Sequence, residues 1–358
     1  RRYAPSIVFI DEIDSIGLKR RGDRYLRAEE NTLNSLLTEM DGFATQSAER
    51  PVFVIAATNV PIHGSSSDGS SRGEDGGLDP ALLRRFSHLI LVDLPDSDCR
   101  RRYLELSVAA AMSGNMPSEK VDYLVERTAG LGVGDLENIV ESARRRAAEQ
   151  GLAMSVDLLV EAIDERQSGA ATPLSPEELY QTAVHEAGHA LMYWHSGWLP
   201  LEVSVISRAN YGGIMRCHPD EINRVCLTRE EILANLRVAL GGRAAEILCL
   251  GESKGISTGS ADDLKKASEI LRSMAYDLGM SEPFPNLVFS EFRGYMTSGV
   301  QQLIIEWIQN TLGKEMDNTR ATLTRNRQAL DSLVKELVKR NRLDQHDLEK
   351  ILGRPPAR

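Results

Sequence analysis

The stretch His185-Glu186-Ala187-Gly188-His189 (HEAGH) decides how the second half of the chain folds. It lies in a run of strong helix formers from Leu174 to His195, so the two histidines fall one turn apart on the same helix face. Glu186 lies beside His185, within reach of a water on a shared metal rather than of the metal itself. The pattern favours a zinc site with the chemistry of a peptidase.

Such a site needs a third protein ligand, and the first candidate is His195. It follows His189 by the spacing of the third histidine in metzincins, but Met192 stands where those proteins have a helix-breaking glycine. In an unbroken helix His195 points about 80° away from His185 and lies about 15 Å along the axis. We therefore expect His195 to end the helix before Ser196-Gly197.

The other candidates are acids further along the chain. The segment from Ser257 to Leu264 predicts a loop that enters a helix running from Leu264 to Tyr276. Asp262 and Asp263 would lie at the start of that helix, and one of them is expected to be its cap. Glu246 is the rival, since gluzincins use a glutamate from a later helix. Spacing alone does not choose between Asp263 and Glu246.

The first hundred residues carry a second set of motifs. Ile7 to Ile10 is an apolar run followed by Asp11 and Glu12, the pattern of a buried parallel strand with acids at its carboxyl end. It resembles a Walker B element, in which the Asp holds Mg²⁺ and the Glu polarises the attacking water. A second predicted buried strand, Val52 to Ala57, ends in Thr58-Asn59 and resembles sensor 1, in which Asn59 would position that water.

A third segment, Leu78 to Phe86, resembles an arginine-finger segment. By that resemblance Arg84 or Arg85 would act on the nucleotide of the next subunit. The family pattern has Pro-Gly between the two arginines, whereas Arg84 and Arg85 are adjacent here. The Ser-, Gly- and Asp-rich run from Gly64 to Gly77 is typical of a disordered insertion.

An AAA+ ATPase core followed by HExxH resembles the FtsH family of membrane-anchored, ATP-dependent zinc proteases. The resemblance covers almost the whole chain. By this resemblance Asp263 is the third zinc ligand and Glu246 supports the site or packs beside it. The matching segments, besides HEAGHAL, include Glu39-Met40-Asp41-Gly42-Phe43, Gly134-Asp135-Leu136, Gly241-Gly242-Arg243-Ala244-Ala245-Glu246, Ser257-Thr258-Gly259 and Asp263-Leu264.

The resemblance implies a zinc endopeptidase that degrades unfolded or misfolded soluble and membrane proteins, delivered by an ATPase ring. His185, His189 and Asp263 would hold Zn²⁺, and Glu186 would act as general base and then as acid. ATP and Mg²⁺ would be the cofactors of the ATPase. A homo-oligomer is expected, a hexameric ring by resemblance, and residues 178–352 should associate without nucleotide. A proteolytically inactive scaffold or chaperone and an ATP-independent zinc peptidase stay open as alternatives.

The chain departs from the family at its beginning. No G-x-x-x-x-G-K-[ST] P-loop occurs, and the pore loop and membrane anchors that precede Walker B in the family are absent. We therefore expect a C-terminal part of a longer, membrane-anchored protein, facing the cytoplasm or an organelle's matrix or stroma. Without P-loop amides and their lysine to hold the phosphates, this chain alone should not hydrolyse ATP appreciably.

Composition sets further bounds. With 358 residues and 42% hydrophobic content, the chain can bury more than one core. A net charge of −10 argues against nucleic acid as a partner. No apolar run reaches the roughly 18 residues of a membrane span, so this segment is expected to be soluble. The four cysteines form no C-x-x-C pair and are expected to be reduced and not to bind zinc.

We predict a multidomain protein with four parts. Residues 1–96 would be the C-terminal part of an α/β AAA+ core, 97–165 a helical lid, 166–176 a linker, and 177–358 a mainly α-helical, zincin-type protease domain. Within the last part, Leu201 to Met215 predicts a small β-hairpin close to the HEAGH helix. Its residues Gly212, Gly213 and Ile214 are candidates for holding an extended substrate by strand addition.

Overall fold

The computed structural model describes residues 4–17, 27–44, 51–60, 78–109, 116–209, 211–217, 224, 226–290 and 296–356. Contacts divide the chain into two compact units, Arg1–Asp93 and Leu94–Arg358. In the described part of the chain, no helix combines the length and apolar character needed to cross a bilayer. The predicted insertion from Gly64 to Gly77 lies outside the described residues.

In the described part of the first unit, two parallel strands form a sheet. β1 (Ser6–Ile10) and β2 (Val52–Ala56) pair with Ser6 opposite Val52 and Ile10 opposite Ala56. Three helices accompany them: α1 (Asp14–Gly17), α2 (Arg27–Ala44) and α3 (Pro80–Leu83). Asp79 caps α3 by accepting a hydrogen bond from the backbone N–H of Ala81.

The expectation that both strands are buried is wrong for the described residues. Alternate side chains of a strand point to opposite faces of the sheet. On one face Val54 and Ala56 pack against the core of this unit. On the other face Ile7, Phe9 and Phe53 are 67%, 62% and 61% exposed, because no described residue covers them. The apolar runs therefore identified strands correctly but did not reveal that one face is open.

The second unit begins with four helices around a common apolar core. They are α4 (Ser97–Ala109), α5 (Ser118–Arg127), α6 (Val133–Gln150) and α7 (Val156–Ser168). Leu124, Ile139 and Leu159 are almost completely buried between them. Gly151 ends α6 with φ +64°, a left-handed conformation that favours glycine.

The predicted linker, 166–176, contains regular structure. Its first residues, up to Ser168, belong to α7. The two-residue strand β3 (Ala171–Thr172) then pairs antiparallel with β5 (Ser207–Arg208). Ser175 caps the next helix in a reciprocal pair with Glu178.

Among the described residues of the remainder, six helices form most of the structure, and one of them, α8, carries HEAGH. Ala187 and Leu191 of α8 pack with Ala244, Leu333 and neighbouring apolar side chains in one core. The helices are α8 (Pro176–His195), α9 (Arg229–Gly255), α10 (Ala261–Tyr276), α11 (Ser298–Arg325), α12 (Arg327–Arg340) and α13 (Gln345–Leu352).

A three-stranded antiparallel sheet lies beside α8. β4 (Glu202–Ser204) is the central strand, flanked by β6 (Ile214–Arg216) and β7 (Arg342–Asp344). Val203 lies opposite Met215 on one side and opposite Leu343 on the other. The predicted hairpin is confirmed as the β4–β6 pair, while the third strand was not predicted. In the part of the chain that the structure describes, β6 is an edge strand of this sheet.

A buried group of charged side chains joins α5 and α7 to this sheet. Asp164 accepts hydrogen bonds from Arg127, Arg216 and Arg342. Glu202 accepts from Tyr123 and Arg127. We call this group the arginine–carboxylate cluster; its members are Tyr123, Arg127, Asp164, Glu202, Arg208, Arg216 and Arg342.

Candidate metal centre

The two histidines of HEAGH occupy one face of α8 in its buried half. The helix begins at Pro176 and reaches His195 without a break, as the sequence predicts. Proline at the first position and the Ser175–Glu178 cap fix its start. The rings of His185 and His189 stand edge to face with their centroids 4.6 Å apart. Both rings therefore border the same small volume.

Asp263 brings a third atom to that volume. Its Oδ2 lies 3.0 Å from Nε2 of His185 and 3.2 Å from Nε2 of His189. The two Nε2 atoms are 3.0 Å apart. The three side chains are only 10–15% exposed. Three potential ligand atoms thus form a nearly equilateral triangle at the edge of the core.

In each histidine, the hydrogen bond made by Nδ1 orients the ring and leaves Nε2 as the nitrogen that can bind a metal ion. Nδ1 of His189 lies 2.7 Å from the carbonyl oxygen of Val238, which can only accept, so this nitrogen carries the proton. Nδ1 of His185 lies 2.6 Å from Oε1 of Glu246 and donates to it in the same way. A metal ion would displace any proton from Nε2, and both Nε2 atoms could then direct lone pairs at the centre of the triangle.

These three residues fit a zinc ion. Tetrahedral zinc with bonds of about 2.0–2.2 Å places its ligand atoms about 3.3 Å apart, close to the separations in the triangle. Two imidazoles and one carboxylate are also a donor set that zinc prefers, and they leave a fourth position for water or substrate. Among the described acids, histidines and cysteines, we find one group of three whose ligand atoms all lie within 4.8 Å of one another. Its members are His185, His189 and Asp263.

Asp263 and Glu246 both touch His185, but on opposite nitrogens. Asp263 meets Nε2, the ligand nitrogen, whereas Glu246 meets Nδ1 on the far side of the ring. Glu246 is 1% exposed and contacts the side of the His185 ring that faces away from the triangle. The geometry thus supports Asp263 as the third ligand.

The helix that carries Asp263 begins earlier than predicted. A 3₁₀ turn at Thr258–Ser260 leads directly into α10 at Ala261, with Ser260 at the cap position. Asp262 and Asp263 both lie in the first turn of α10, so the expectation that one of them is the cap is wrong. The 3₁₀ turn supplies the entry geometry that a capping side chain would otherwise provide.

The electrostatics of the centre favour a cation. Burial lowers the pKa of His185, but hydrogen bonds with Asp263 and Glu246 outweigh this effect and raise the pKa to about 10. Burial raises the pKa of Asp263, yet its contacts with His185 and His189 hold that pKa below the usual range of an aspartate. Both shifts arise because carboxylates surround the imidazoles.

Three glycines allow α8 and α9 to cross closely at this centre. A Cβ atom built on Gly188 would lie 2.3 Å from the carbonyl oxygen of Gly241. A Cβ atom on Gly242 would lie 2.5 Å from Cε1 of His185 and 2.6 Å from Nε2 of His189. Distances this short, to backbone at Gly188 and to the imidazole rings at Gly242, leave no room for a side chain at either position. The backbone of α9 therefore forms one wall of the centre.

Glu186 lies beside the triangle and next to the edge strand. It is 5% exposed, and burial raises the pKa of its carboxyl group, although His189 and His185 oppose the shift. A raised pKa brings a carboxylate closer to the range of a general base that works near neutral pH. Gly213, just before β6, lies so close that an added Cβ would be 2.7 Å from Cγ of Glu186. Ile214 follows as the first residue of β6, and Gly212 has open space around it.

His195 is not part of the centre. It is the exposed last residue of α8, and among its neighbours are Arg325 and Arg237. Burial and these two cations lower the pKa of His195. The prediction that His195 ends the helix rather than binds metal agrees with this position.

In the first unit, the predicted nucleotide residues follow the carboxyl ends of two adjacent strands. Asp11 and Glu12 come directly after β1, and Asn59 comes shortly after β2. Glu12 has φ +48°, an unusual conformation for a residue with a side chain, and its N–H donates to Oδ1 of Asp11. Thr58 donates its hydroxyl to Asp14 at 2.7 Å and so ties β2 to α1.

The two adjacent arginines differ in their contacts. Arg85 donates from Nε and Nη2 to the two carboxylate oxygens of Asp41, both at 2.8 Å. It also donates to the carbonyl of Ala81, so its guanidinium is held within its own unit. Arg84 is the C-cap residue of α3 and is exposed. The two arginines therefore differ in that Arg85 is tied to Asp41 whereas Arg84 is exposed at the end of α3.

Comparison with known proteins gives one family match for the part of the chain with the metal centre and another for the part with the nucleotide motifs. The sequence profile of peptidase family M41 matches residues 172–351. The profile of the ATPase family associated with various cellular activities (AAA) matches residues 1–94. The first match contains HEAGH, Glu246 and Asp263, and the second contains Asp11, Asn59 and both arginines.

Individual relatives agree with these profiles. The ATP-dependent zinc metalloprotease FtsH 3 of Sphaerobacter thermophilus is 35% identical over 100% of this chain and 70% of its own length. The ATP-dependent zinc metalloprotease FtsH of Nitrosococcus oceani is 35% identical over 98% of this chain and 55% of its own. FtsH 2 of Symbiobacterium thermophilum is 35% identical over 99% of this chain and 59% of its own. The chain thus spans only part of the length of these relatives.

The matches cover the donor triangle, the carboxylate beside it and the ATPase motifs in one continuous alignment. This chain belongs to peptidase family M41, the FtsH family of ATP-dependent zinc metalloproteases.

Proposed function

We propose that this chain binds zinc through His185, His189 and Asp263 and hydrolyses peptide bonds with Glu186 as the proton-transfer residue. One observation carries the proposal: three potential ligand atoms, 3.0–3.2 Å apart, converge at one point beside a buried carboxylate. The complete donor set also argues against an inactive scaffold, because such a protein has no need of three converging ligands.

The residues around the triangle suggest the division of labour. Zinc, when bound, would supply a Lewis acid that lowers the pKa of a coordinated water to about 7 and polarises the peptide carbonyl. Glu186 would take the proton of the attacking water and pass it to the departing amine. Glu246 and the carbonyl of Val238 would hold the two imidazole rings in the orientation that binding requires.

We further propose that Gly212, Gly213 and Ile214 hold an extended substrate. β6 is at the edge of its sheet, so the backbone on its outer side is not paired with β4. Gly213 contacts Glu186, so a peptide added along this strand would pass the proton-transfer group. The absence of a side chain at Gly213 keeps that approach open.

For the whole protein we propose coupling to an AAA+ ring. Unfolded or misfolded soluble and membrane proteins would be delivered to the zinc site by a hexamer anchored in a membrane, with this part on the cytoplasmic, matrix or stromal side. Asp11 would assist Mg²⁺, Glu12 would activate water, Asn59 would orient it, and Arg84 or Arg85 would act across the subunit contact. The positions of Asp11, Glu12 and Asn59 after two adjacent parallel strands support the roles proposed for these three residues.

The domain assignment is part of the same proposal. The ATPase core would end at residue 96, the lid would occupy 97–165 and the protease domain would begin at 177. The four-helix core of α4 to α7 supports a lid in this place. The AAA profile, which ends at residue 94, supports the first boundary.

Casein cleavage by the zinc-loaded chain tests the peptidase proposal. We expect Glu186→Gln to keep its zinc and to lose activity by about 100-fold or more, since the ligands stand while the base is gone. Glu177→Gln, an exposed acid in the first turn of the same helix, should cleave like the wild type. Undiminished cleavage by Glu186→Gln, or a chain that binds no zinc, would overturn the proposal.

A further inference from the structure

The two oxygens of Glu246 bind different parts of the chain. Oε1 accepts from Nδ1 of His185 at 2.6 Å, and Oε2 accepts from the hydroxyl of Ser257 at 2.9 Å. Glu246 is 1% exposed, so water does not replace either partner easily. A single buried carboxylate therefore connects the metal-binding face of α8 with the segment that precedes α10.

Ser257 holds the turn that delivers Asp263. Its hydroxyl also accepts the backbone N–H of Gly259 at 3.2 Å and so caps the 3₁₀ turn Thr258–Ser260. That turn passes directly into α10, where Asp263 lies in the first turn. The position of the Ser257 hydroxyl is thus transmitted to Asp263 through a short, hydrogen-bonded stretch of backbone.

Arg243 fixes the same turn from the same helix as Glu246. It lies three residues before Glu246 on α9, hence on the same helix face. Its Nη1 donates to the carbonyl of Ser257 and to Oγ of the buried Ser260, both at 3.2 Å. Both ends of the turn are consequently tied to α9.

These contacts close a ring through the metal centre. Starting at His185, the path runs through Glu246 to Ser257, along the turn to Asp263, and back across 3.0 Å to Nε2 of His185. We propose that Ser257 is a positioning residue that sets the place of Asp263 relative to His185 through Glu246. This inference rests on the proposed zinc site, but Ser257 itself does not touch the metal position.

The hydroxyl has a specific task in this ring. It is donor to Glu246 and acceptor from Gly259 at the same time, which neither alanine nor a purely accepting side chain can be. Without this hydroxyl, Oε2 of Glu246 loses its partner and the turn loses its cap. The positions of His185 and Asp263 relative to each other are then no longer fixed. Partners behind a metal ligand typically change metal affinity by about 10- to 100-fold.

Zinc affinity of the full chain, measured by competition with a chelator of known affinity, tests the proposal. Ser257→Ala should bind zinc about tenfold more weakly, and Ser257→Thr, which keeps the hydroxyl, should bind within about threefold of the wild type. Ser268→Ala is the matched control, because that hydroxyl donates to Leu264 within α10 and is exposed. It should leave the affinity unchanged.

A double-mutant cycle with Glu246→Ala separates positioning from general support. If Ser257 acts through Glu246, Ser257→Ala should weaken zinc binding much less in the Glu246→Ala background than in the wild type. Equal effects in both backgrounds would overturn the proposal. So would a Ser257→Ala chain with wild-type affinity, even if its metal-free form melts earlier. A wild-type chain that binds no zinc would instead overturn the proposed function.

Discussion

Two buried groups of polar side chains lie in the second unit, and they are built in opposite ways. In the metal centre, two imidazole nitrogens and one carboxylate oxygen approach a single point. Once Nε2 of each imidazole has lost its proton, as metal binding requires, each of the three atoms offers a lone pair. The centre is a surplus of acceptors at one place, which a cation can satisfy.

The arginine–carboxylate cluster has a surplus of donors instead. Its four guanidinium groups share Asp164 and Glu202, together with the partly exposed Glu161. The Nε atoms of all four arginines are buried without a hydrogen-bond partner. The four arginines come from one helix and three strands, so the cluster connects these elements.

The comparison shows why burial of charge alone does not identify a functional site. Both groups are buried and both contain carboxylates. The arrangement of the atoms distinguishes them. In the metal centre three ligand atoms meet at one point, which indicates a bound ion. In the cluster the guanidinium groups share carboxylates, which indicates cross-linking of elements. We therefore expect the first group to control zinc and the second to control stability.

Removing one converging lone-pair donor should have the largest effect. Asp263→Asn takes the anionic oxygen from the triangle, so zinc should fall from about one per chain to near zero and casein cleavage should be lost. Glu246→Gln, which changes the acid behind the ring, should keep most of its zinc. Elemental analysis of the purified proteins measures both. The ligand assignment would be wrong if Glu246→Gln emptied the centre while Asp263→Asn stayed loaded.

Filling the wall of the centre should have the next largest effect. Gly242→Ala places a methyl group 2.6 Å from the ligand nitrogen of His189, so the ring must move and zinc affinity should fall by more than about tenfold. Gly313→Ala, on α11 with open space around it, should bind zinc normally and be as stable or slightly more stable. Circular dichroism confirms the helix content of both. Normal zinc binding by Gly242→Ala would contradict the close crossing.

The cluster should respond in stability rather than in zinc content. Asp164→Asn leaves several buried guanidinium groups without their shared anion, and breaking such a pair typically costs about 3–5 kcal/mol. Asp331→Asn removes an exposed partner of Arg327 and should cost less than about 1 kcal/mol. Denaturant unfolding measures the difference. Zinc loss from folded Asp164→Asn would show that the two groups are not independent.

The smallest effect is expected at His195. His195→Ala should leave zinc content unchanged and casein cleavage within about twofold, because an unbroken helix directs this ring away from the centre. The same two assays used for Asp263→Asn apply. A loss of zinc here would mean that α8 does not continue through Met192 as described.

Local patterns predicted the helix of the metal centre well. The cap at Ser175, the proline after it and the apolar context of HEAGH define α8 within two residues of the expected start. The choice between Asp263 and Glu246 could not be made from spacing, because each comes from a separate helix. It depends on which nitrogen of His185 each acid meets, and only the packing of α9 and α10 determines that.

The arginine–carboxylate cluster could not be predicted from the sequence. Its members are single charged residues on separate helices and strands, and no local pattern distinguishes them from solvated charges. The exposed faces of β1 and β2 were missed for a related reason. An apolar run indicates a strand, but its burial depends on what packs against it.

The close crossing at Gly188, Gly241 and Gly242 has a consequence for protein design. The five letters of HEAGH, transplanted onto another helix, would bring two histidines and a glutamate but not the bare backbone against which the rings rest. The smallest portable unit is therefore a pair of crossed helices, with Gly-Gly on the second helix as essential as histidine on the first. A substitution scan would find that these glycines tolerate no replacement, although they take no part in the chemistry. A designer who ranked positions only by their tolerance to substitution would therefore mistake packing residues for catalytic ones.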